Sequence, residues 1–196
     1  MSALRSIVAV LCICSLAPLL SGCASAIIGA GAAAGVAAYQ ERDISDAARD
    51  IQIETAIREK WLRKDHALPV KLGVESYEAR VLLTGIATDQ NERAEAVDLA
   101  WKVEGVKEIY NEIVVSPNSG VMDLANDTWI STQLNAKLTF DSDVMAINYA
   151  IETVGGVIYL IGIGQDQAEI DRVIAHARNV SYVKKVVNYV RLKDSP

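Results

Sequence analysis

The sequence predicts an α+β protein built from two tandem units. Each unit is a helix–strand–strand–helix–strand run whose two helices pack on a three-stranded mixed sheet. Three observations carry this expectation. The chain beyond residue 45 repeats itself without a gap: a single offset of 77 pairs Asp50 with Asp127, Ile53 with Ile130, Lys60 with Lys137 and Glu75 with Glu152. The same offset pairs Leu83-x-Gly85 with Leu160-x-Gly162, Asp89-Gln90 with Asp166-Gln167, and Asn111 with Asn188. Within each copy the apolar period switches between that of a helix and that of a strand. Between the copies, Ser116-Pro117-Asn118-Ser119-Gly120 is rich in turn residues. The units are expected at 46–116 and 125–194, joined by a linker at 117–124.

The first helix places Ile53, Ile57 and Trp61 at four-residue spacing, and copy two places Ile130, Leu134 and Leu138 there. Asp127 or Asn126 is expected to cap the second of these helices. A first strand alternates Val70, Leu72, Val74 in copy one and Ile147, Tyr149, Ile151 in copy two. A tight link follows, Gly155-Gly156 in copy two, where positive φ is easy. The second strand spans 81–85 and 158–162. The second helix runs from about 90 to 103 and from 167 to 180, with Asp89 and Asp166 placed to cap its start. The last strand covers 109–115 and 186–192.

Ahead of the units, one positive charge (Arg5) precedes an apolar run from Ile7 to Leu19. The run is too short to span a membrane and suits the core of a signal peptide at 1–22. It ends in Leu20-Ser21-Gly22-Cys23, which resembles the lipobox of bacterial lipoproteins. That resemblance implies cleavage before Cys23 and three acyl chains on it, palmitate among them, as a permanent anchor; Ala24 in the next position implies sorting to the outer membrane. Residues 24–38 are small, apolar and uncharged, and with the return to polar residues they form a tether over 23–45. A close helix-packing role for Gly29, Gly31 and Gly35 is the other reading of that stretch.

Composition excludes several classes. Without residues 1–22 the chain holds eighteen basic and twenty-five acidic residues, a net charge of −7. Such a chain is a poor nucleic-acid binder, because phosphate neutralisation needs clustered cations. Cys12 and Cys14 leave with the signal, so no disulfide is expected and the fold rests on apolar packing. His66 and His176 have no companions at ligand spacing, and both are expected to be solvated; no metal or cofactor is expected. No nucleophile–base arrangement stands out, and a non-enzyme is expected.

A unit of this order, ending its second strand in Leu-x-Gly and closing with Val-x-x-Val-x-Asn, resembles the BON domain. Copy one carries Gly105-Val106-Lys107-Glu108-Ile109-Tyr110-Asn111; copy two carries Val183-Lys184-Lys185-Val186-Val187-Asn188, with Tyr182 in the usual glycine position. A lipobox followed by two such units resembles the dual BON-domain outer-membrane lipoproteins, a family associated with division and outer-membrane stress. The resemblance implies a periplasmic protein on the outer membrane whose second domain recognises an anionic phospholipid, phosphatidylglycerol or cardiolipin. It further implies support of envelope integrity and of the outer-membrane protein assembly machinery.

The residues give an independent hint. The 77 offset carries Gln52 and Arg63 to Trp129 and Phe140. Eleven residues at about 100° each bring the two aromatics onto nearly one helix face, with Gln133 and Lys137 between them. These four are the candidate lipid-contact residues, since an amphipathic aromatic beside a cation suits the headgroup layer. The competing arrangement has the aromatics covering the sister domain or the linker. Charge is mixed: copy one (46–117) has ten basic and fourteen acidic residues, copy two (125–196) seven and eight. Lys184, Lys185, Arg191 and Lys193 cluster near the end of copy two, while Asp141 and Asp143 beside Phe140 oppose an anionic surface. The alternative function is a protein-binding scaffold for an envelope assembly complex, with the lipid acting only as tether.

Overall fold

A computed structural model describes residues 43–117 and 124–193. Cys23, the signal segment, the tether and most of the linker lie outside the described residues. Domain one begins with α1 (Ile44–Lys64), whose buried side chains Asp50, Ile53, Ile57 and Trp61 recur at three and four residues. A short helix α2 (Leu68–Lys71) leads into β1 (Leu72–Tyr77). Then come β2 (Arg80–Ala87), α3 (Gln90–Trp101), β3 (Glu108–Asn111) and β4 (Val114–Val115). Domain two repeats the plan with α4 (Leu124–Thr139), a 3-10 turn at Ala146–Asn148, β5 (Tyr149–Val154), β6 (Val157–Gly164), α5 (Gln167–Arg178) and β7 (Lys185–Leu192). In each sheet the central strand pairs antiparallel with the strand before it and parallel with the one after the helix. This is the predicted α+β architecture.

Four local expectations need correction. Val70 and Ile147 are not strand residues: Pro69 sits in the first turn of α2, where its missing N–H costs nothing, and Val70 is 86 % exposed. Ile147 falls in the 3-10 turn. The last strand of domain one is interrupted at Glu112-Ile113, so β3 and β4 pair with different stretches of β2. Asp127 does not cap a helix start. It lies inside α4, which begins at Leu124, and its carboxylate accepts the Gly155 and Gly156 amides at 2.7 and 2.8 Å.

Asp50 does the same work in domain one, accepting the Ser76 hydroxyl and the Glu78 and Ala79 amides. The first helix of each domain thus holds a buried carboxylate against the hairpin turn. Both turns need positive φ; domain two meets this with Gly155 and Gly156, domain one with Glu78 and Ala79. Tyr182 likewise keeps the positive φ that Gly105 has in domain one, so the helix exit is unchanged despite the substitution. The glycine of Leu-x-Gly has a steric cause. A Cβ on Gly85 would fall 2.3 Å from the Lys71 carbonyl oxygen, and one on Gly162 would fall 2.0 Å from that of Asn148. Asp89 and Asp166 cap α3 and α5 as expected, accepting the Asn91 and Glu92 amides and the Glu169 amide respectively.

Each domain has its own core between helices and sheet, one around Ile57, Trp61, Val81 and Leu83, the other around Ile130, Leu134, Ile158 and Leu160. A third apolar cluster joins them: Tyr77 and Leu82 from domain one meet Val154, Tyr159, Ile161 and Ile163 from domain two. These residues occupy the sheet faces that carry no helix, so the two sheets pack face to face with helices outside. Polar groups fix the seam. Arg80, 2 % exposed, donates to the carbonyls of Tyr189 and Gly162, each at 3.0 Å. Tyr110 stacks on Tyr189 with ring centroids 4.1 Å apart, Tyr189 donates to Glu112, and Arg191 pairs with Glu108.

Glu75 and Glu152, equivalent positions in the two copies, meet at this seam through a side-chain hydrogen bond. Burial raises the Glu152 carboxyl above its usual range. Nearby in α1, Glu54 accepts the Ser76 amide at 2.9 Å. Burial first, then the charge of Glu75, pushes the Glu54 carboxyl up to about 7. A carboxyl raised in the folded state contributes stability that is intact below its unfolded value and is lost as pH rises through the folded one. The folded protein should therefore weaken between about pH 4.5 and 7, by on the order of 2 kcal/mol after allowance for partial solvation. Glu54→Gln should flatten this slope, giving a higher melting temperature than wild type at pH 8 and little change at pH 5; parallel melting curves for the two proteins at both pH values would refute it.

Candidate functional site

The stripe picked out by the repeat lies on α4. Ile130, Leu134 and Leu138 face the domain core and are buried. Trp129 is 52 % exposed and Phe140, just past the helix end, is 88 % exposed. Gln133 and Lys137 are half-buried between them. Spacings of four, four and three residues align the four side chains along one side of the helix. Gln52 and Arg63, the equivalents in domain one, are exposed polar groups. The sister domain does not cover the aromatics, because the domains meet through their sheets and α4 lies on the outer side of its own sheet. The sister-domain cover for Trp129 and Phe140 is thereby corrected; the linker, the other cover expected for them, lies mostly outside the described residues.

The segment after α4 is held by α5. His176 Nε2 lies 2.6 Å from Asp141 Oδ2, and Arg172 reaches Asp143 Oδ2 at 2.9 Å and Asp141 Oδ2 at 3.6 Å. His176 is thus not simply solvated; its side chain is 30 % exposed and bonded to a carboxylate. The hydrogen bond from His176, followed by that from the Asp143 amide, holds the Asp141 carboxyl below the ordinary range. Both carboxylates that oppose an anionic surface beside Phe140 therefore carry a cationic or protonatable partner. Arg172 and His176 were missed by sequence reasoning, and no local signal marks them: they are 31 and 35 residues from Asp141 in the chain.

The basic residues at the end of domain two are arranged differently from the expected cluster. Lys184 donates to the Gly155 carbonyl, and Arg191 pairs with Glu108 and contacts the Tyr110 hydroxyl in domain one. They serve the turn and the seam rather than the aromatic stripe. Among the described residues no group of three or more His, Cys, Asp or Glu side chains is arranged to hold a metal ion. No described helix is long and apolar enough to cross a membrane. An open groove of about 420 Å³ runs between the domains, lined by polar Lys71, Thr84, Ser131 and Glu152 and by apolar Leu72 and Ile151 among others.

Comparison with known proteins places the chain. The BON domain matches residues 49–117 and again 126–194. A protein of Anaplasma centrale named "Uncharacterized protein in gshII 5'region" is 40 % identical over 131 residues, which cover 66 % of this chain and 87 % of that one. The outer membrane lipoprotein DolP of Haemophilus influenzae is 33 % identical over 180 residues, covering 89 % and 91 % of the two chains. A 21 kDa hemolysin of Actinobacillus pleuropneumoniae is 34 % identical over 168 residues, covering 78 % and 87 %. With two matched copies spanning most of its length, the chain belongs to the BON-domain family.

Proposed function

We propose that this protein is an outer-membrane lipoprotein, anchored through Cys23 on the periplasmic side, whose second BON domain contacts anionic phospholipid. Its role is non-catalytic support of outer-membrane integrity and assembly. The observation that carries the reading is the stripe of Trp129, Gln133, Lys137 and Phe140 on domain two, whose two solvent-facing aromatics are replaced by the polar Gln52 and Arg63 in domain one. Trp129 can bury its ring at the headgroup level while its N–H stays wet, and Phe140 supplies an apolar wedge. Similarity to an outer membrane lipoprotein over nine tenths of the chain supports the anchor and the location.

The test is flotation of residues 36–196, a compact unit containing both domain cores without Cys23, with vesicles of phosphatidylcholine or phosphatidylglycerol. Co-flotation with phosphatidylglycerol alone is expected, and Trp129→Glu should reduce it at least tenfold with an unchanged melting temperature. Binding by Trp129→Glu equal to wild type would remove the stripe from the mechanism. One observation favours a protein-binding role as the second reading: Arg93, Val97, half-exposed Trp101 and Asn111 line an open groove of about 380 Å³ on domain one. Crosslinking from position 129 separates the two, because lipid adducts support the first reading and protein adducts the second.

A further inference from the structure

The loop that carries Phe140 is tied to α5 by one permanent cation and one conditional one. Arg172 stays charged at every relevant pH, whereas an imidazole gains its charge in the range between about 5 and 8. Arg172 and His176 are one turn apart on α5; Arg172 reaches both Asp141 and Asp143, and His176 reaches Asp141. With His176 neutral, these four groups sum to one negative charge next to the most exposed apolar ring in the domain. With His176 protonated, they sum to zero.

We propose that Asp141, Asp143, Arg172 and His176 form a proton-dependent charge balance beside Phe140, so that protonation of His176 strengthens contact of domain two with an anionic bilayer. The inference rests on the proposed lipid contact and names its regulation. Other charged groups on the elements around the cluster are Lys137 in the last turn of α4 and, at the start of and along α5, Asp166, Glu169, Asp171 and Arg178; Asp166 and Glu169 line one groove with Asp143 and Arg172. Asp166 accepts from the Glu169 amide, Glu169 from the Met145 and Gln165 amides and Asp171 from Gln167, so these carboxylates are engaged elsewhere and the balance at Asp141 turns on His176. Asp141 stays ionised across this range, because its carboxyl is held below the ordinary one.

Linkage makes the effect reciprocal: if the proton favours the membrane, the membrane favours the proton. An anionic leaflet also gathers protons, lowering the pH at its surface by about half a unit. The imidazole therefore sits where both effects add. One added positive charge near such a surface should strengthen binding about fivefold.

The experiment measures vesicle affinity of residues 36–196 at pH 5.5 and 7.5, using phosphatidylglycerol and phosphatidylcholine. Wild type should bind phosphatidylglycerol about fivefold more tightly at pH 5.5, and His176→Gln should give the same affinity at both. A ratio of one in wild type, or an unchanged ratio in His176→Gln, overturns the inference. Absence of binding at either pH, or full binding by Trp129→Glu, instead overturns the lipid-contact reading beneath it. A second readout needs no substitution. The protein has two histidines, and the NMR titration midpoint of His176 should rise on adding phosphatidylglycerol vesicles, while His66 serves as internal control. An equal shift of both, or of neither, also overturns the inference.

Discussion

Replacing Arg80 by alanine should cost about 3–5 kcal/mol and split the unfolding of the protein into two transitions. The guanidinium is 2 % exposed, stands 5.9 Å from the centre of the Tyr77 ring, and donates to two carbonyls of domain two. Truncation removes the donor that spans the seam, strands both carbonyls away from water and leaves a void among Tyr77, Tyr189 and Gly162. The intrinsic tryptophans separate the outcomes, since Trp61 and Trp101 report on domain one and Trp129 on domain two. In wild type their denaturation curves should coincide, because the shared apolar cluster couples the domains. In Arg80→Ala they should diverge. Coincident curves with less than 1 kcal/mol lost would refute the assignment of Arg80 as the seam's main polar tie. Arg80→Met should cost less than alanine, as an apolar chain of similar length fills the space without a buried charge.

Asp127→Ala should cost about 2–3 kcal/mol, the loss of two charge-assisted hydrogen bonds, one to the buried Gly156 amide and one to the Gly155 amide at the exposed tip of the turn. Asp50→Ala should cost at least as much, because that carboxylate serves two amides and a hydroxyl. The two variants differ in consequence. Asp127 fixes α4 against the β5–β6 turn, so its removal frees the helix that bears Trp129, whereas Asp50 fixes a helix with no aromatic stripe. Vesicle binding should fall in Asp127→Ala and persist in Asp50→Ala under conditions where both remain folded. Urea denaturation supplies the energies and flotation the contrast; equal binding by both would show that the carboxylate holds the fold alone.

The repeat made most of the architecture legible before any coordinates. A duplicated sequence doubles every weak signal, so Ile53/Ile130 and Leu83/Leu160 located helices and strands that a single copy would leave ambiguous. The misses are of three physical kinds. Asp127 was assigned to a helix cap because carboxylates usually sit there, yet Asp50 lies in the same three- and four-residue series as Ile53, Ile57 and Trp61. A charged residue in phase with a core stripe signals a buried partner, and that partner is the turn. Val70 was placed in a strand by alternation, although Leu68-Pro69 is a helix-start signal that outranks three alternating residues.

The third kind is the seam. Val81–Ala87 and Val157–Gly164 read as nearly continuous apolar runs rather than alternating ones, the pattern of strands buried on both faces. That pattern could have forecast a cover on the second sheet face, though not its identity. The aromatic stripe was visible because duplication supplied its own control, the polar Gln52 and Arg63 opposite Trp129 and Phe140. Arg172 and His176 were invisible because only the packing of α5 on α4 brings them to Asp141 and Asp143.

The face-to-face sheets also impose an order of events on a chain made from its N-terminus. Tyr77, Leu82 and Tyr110 emerge first, and the strands that cover them end about eighty residues later, at Leu192. Wherever the chain folds, a domain one that forms before domain two is complete holds its sheet bare until the later strands arrive. During that interval the bare sheet of one nascent chain matches the late half of any neighbouring chain as well as its own. A short linker answers this by keeping the rightful cover at high local concentration. Lengthening the segment at 118–123 should therefore first appear as exchange of halves between molecules, before any loss of stability in the finished protein.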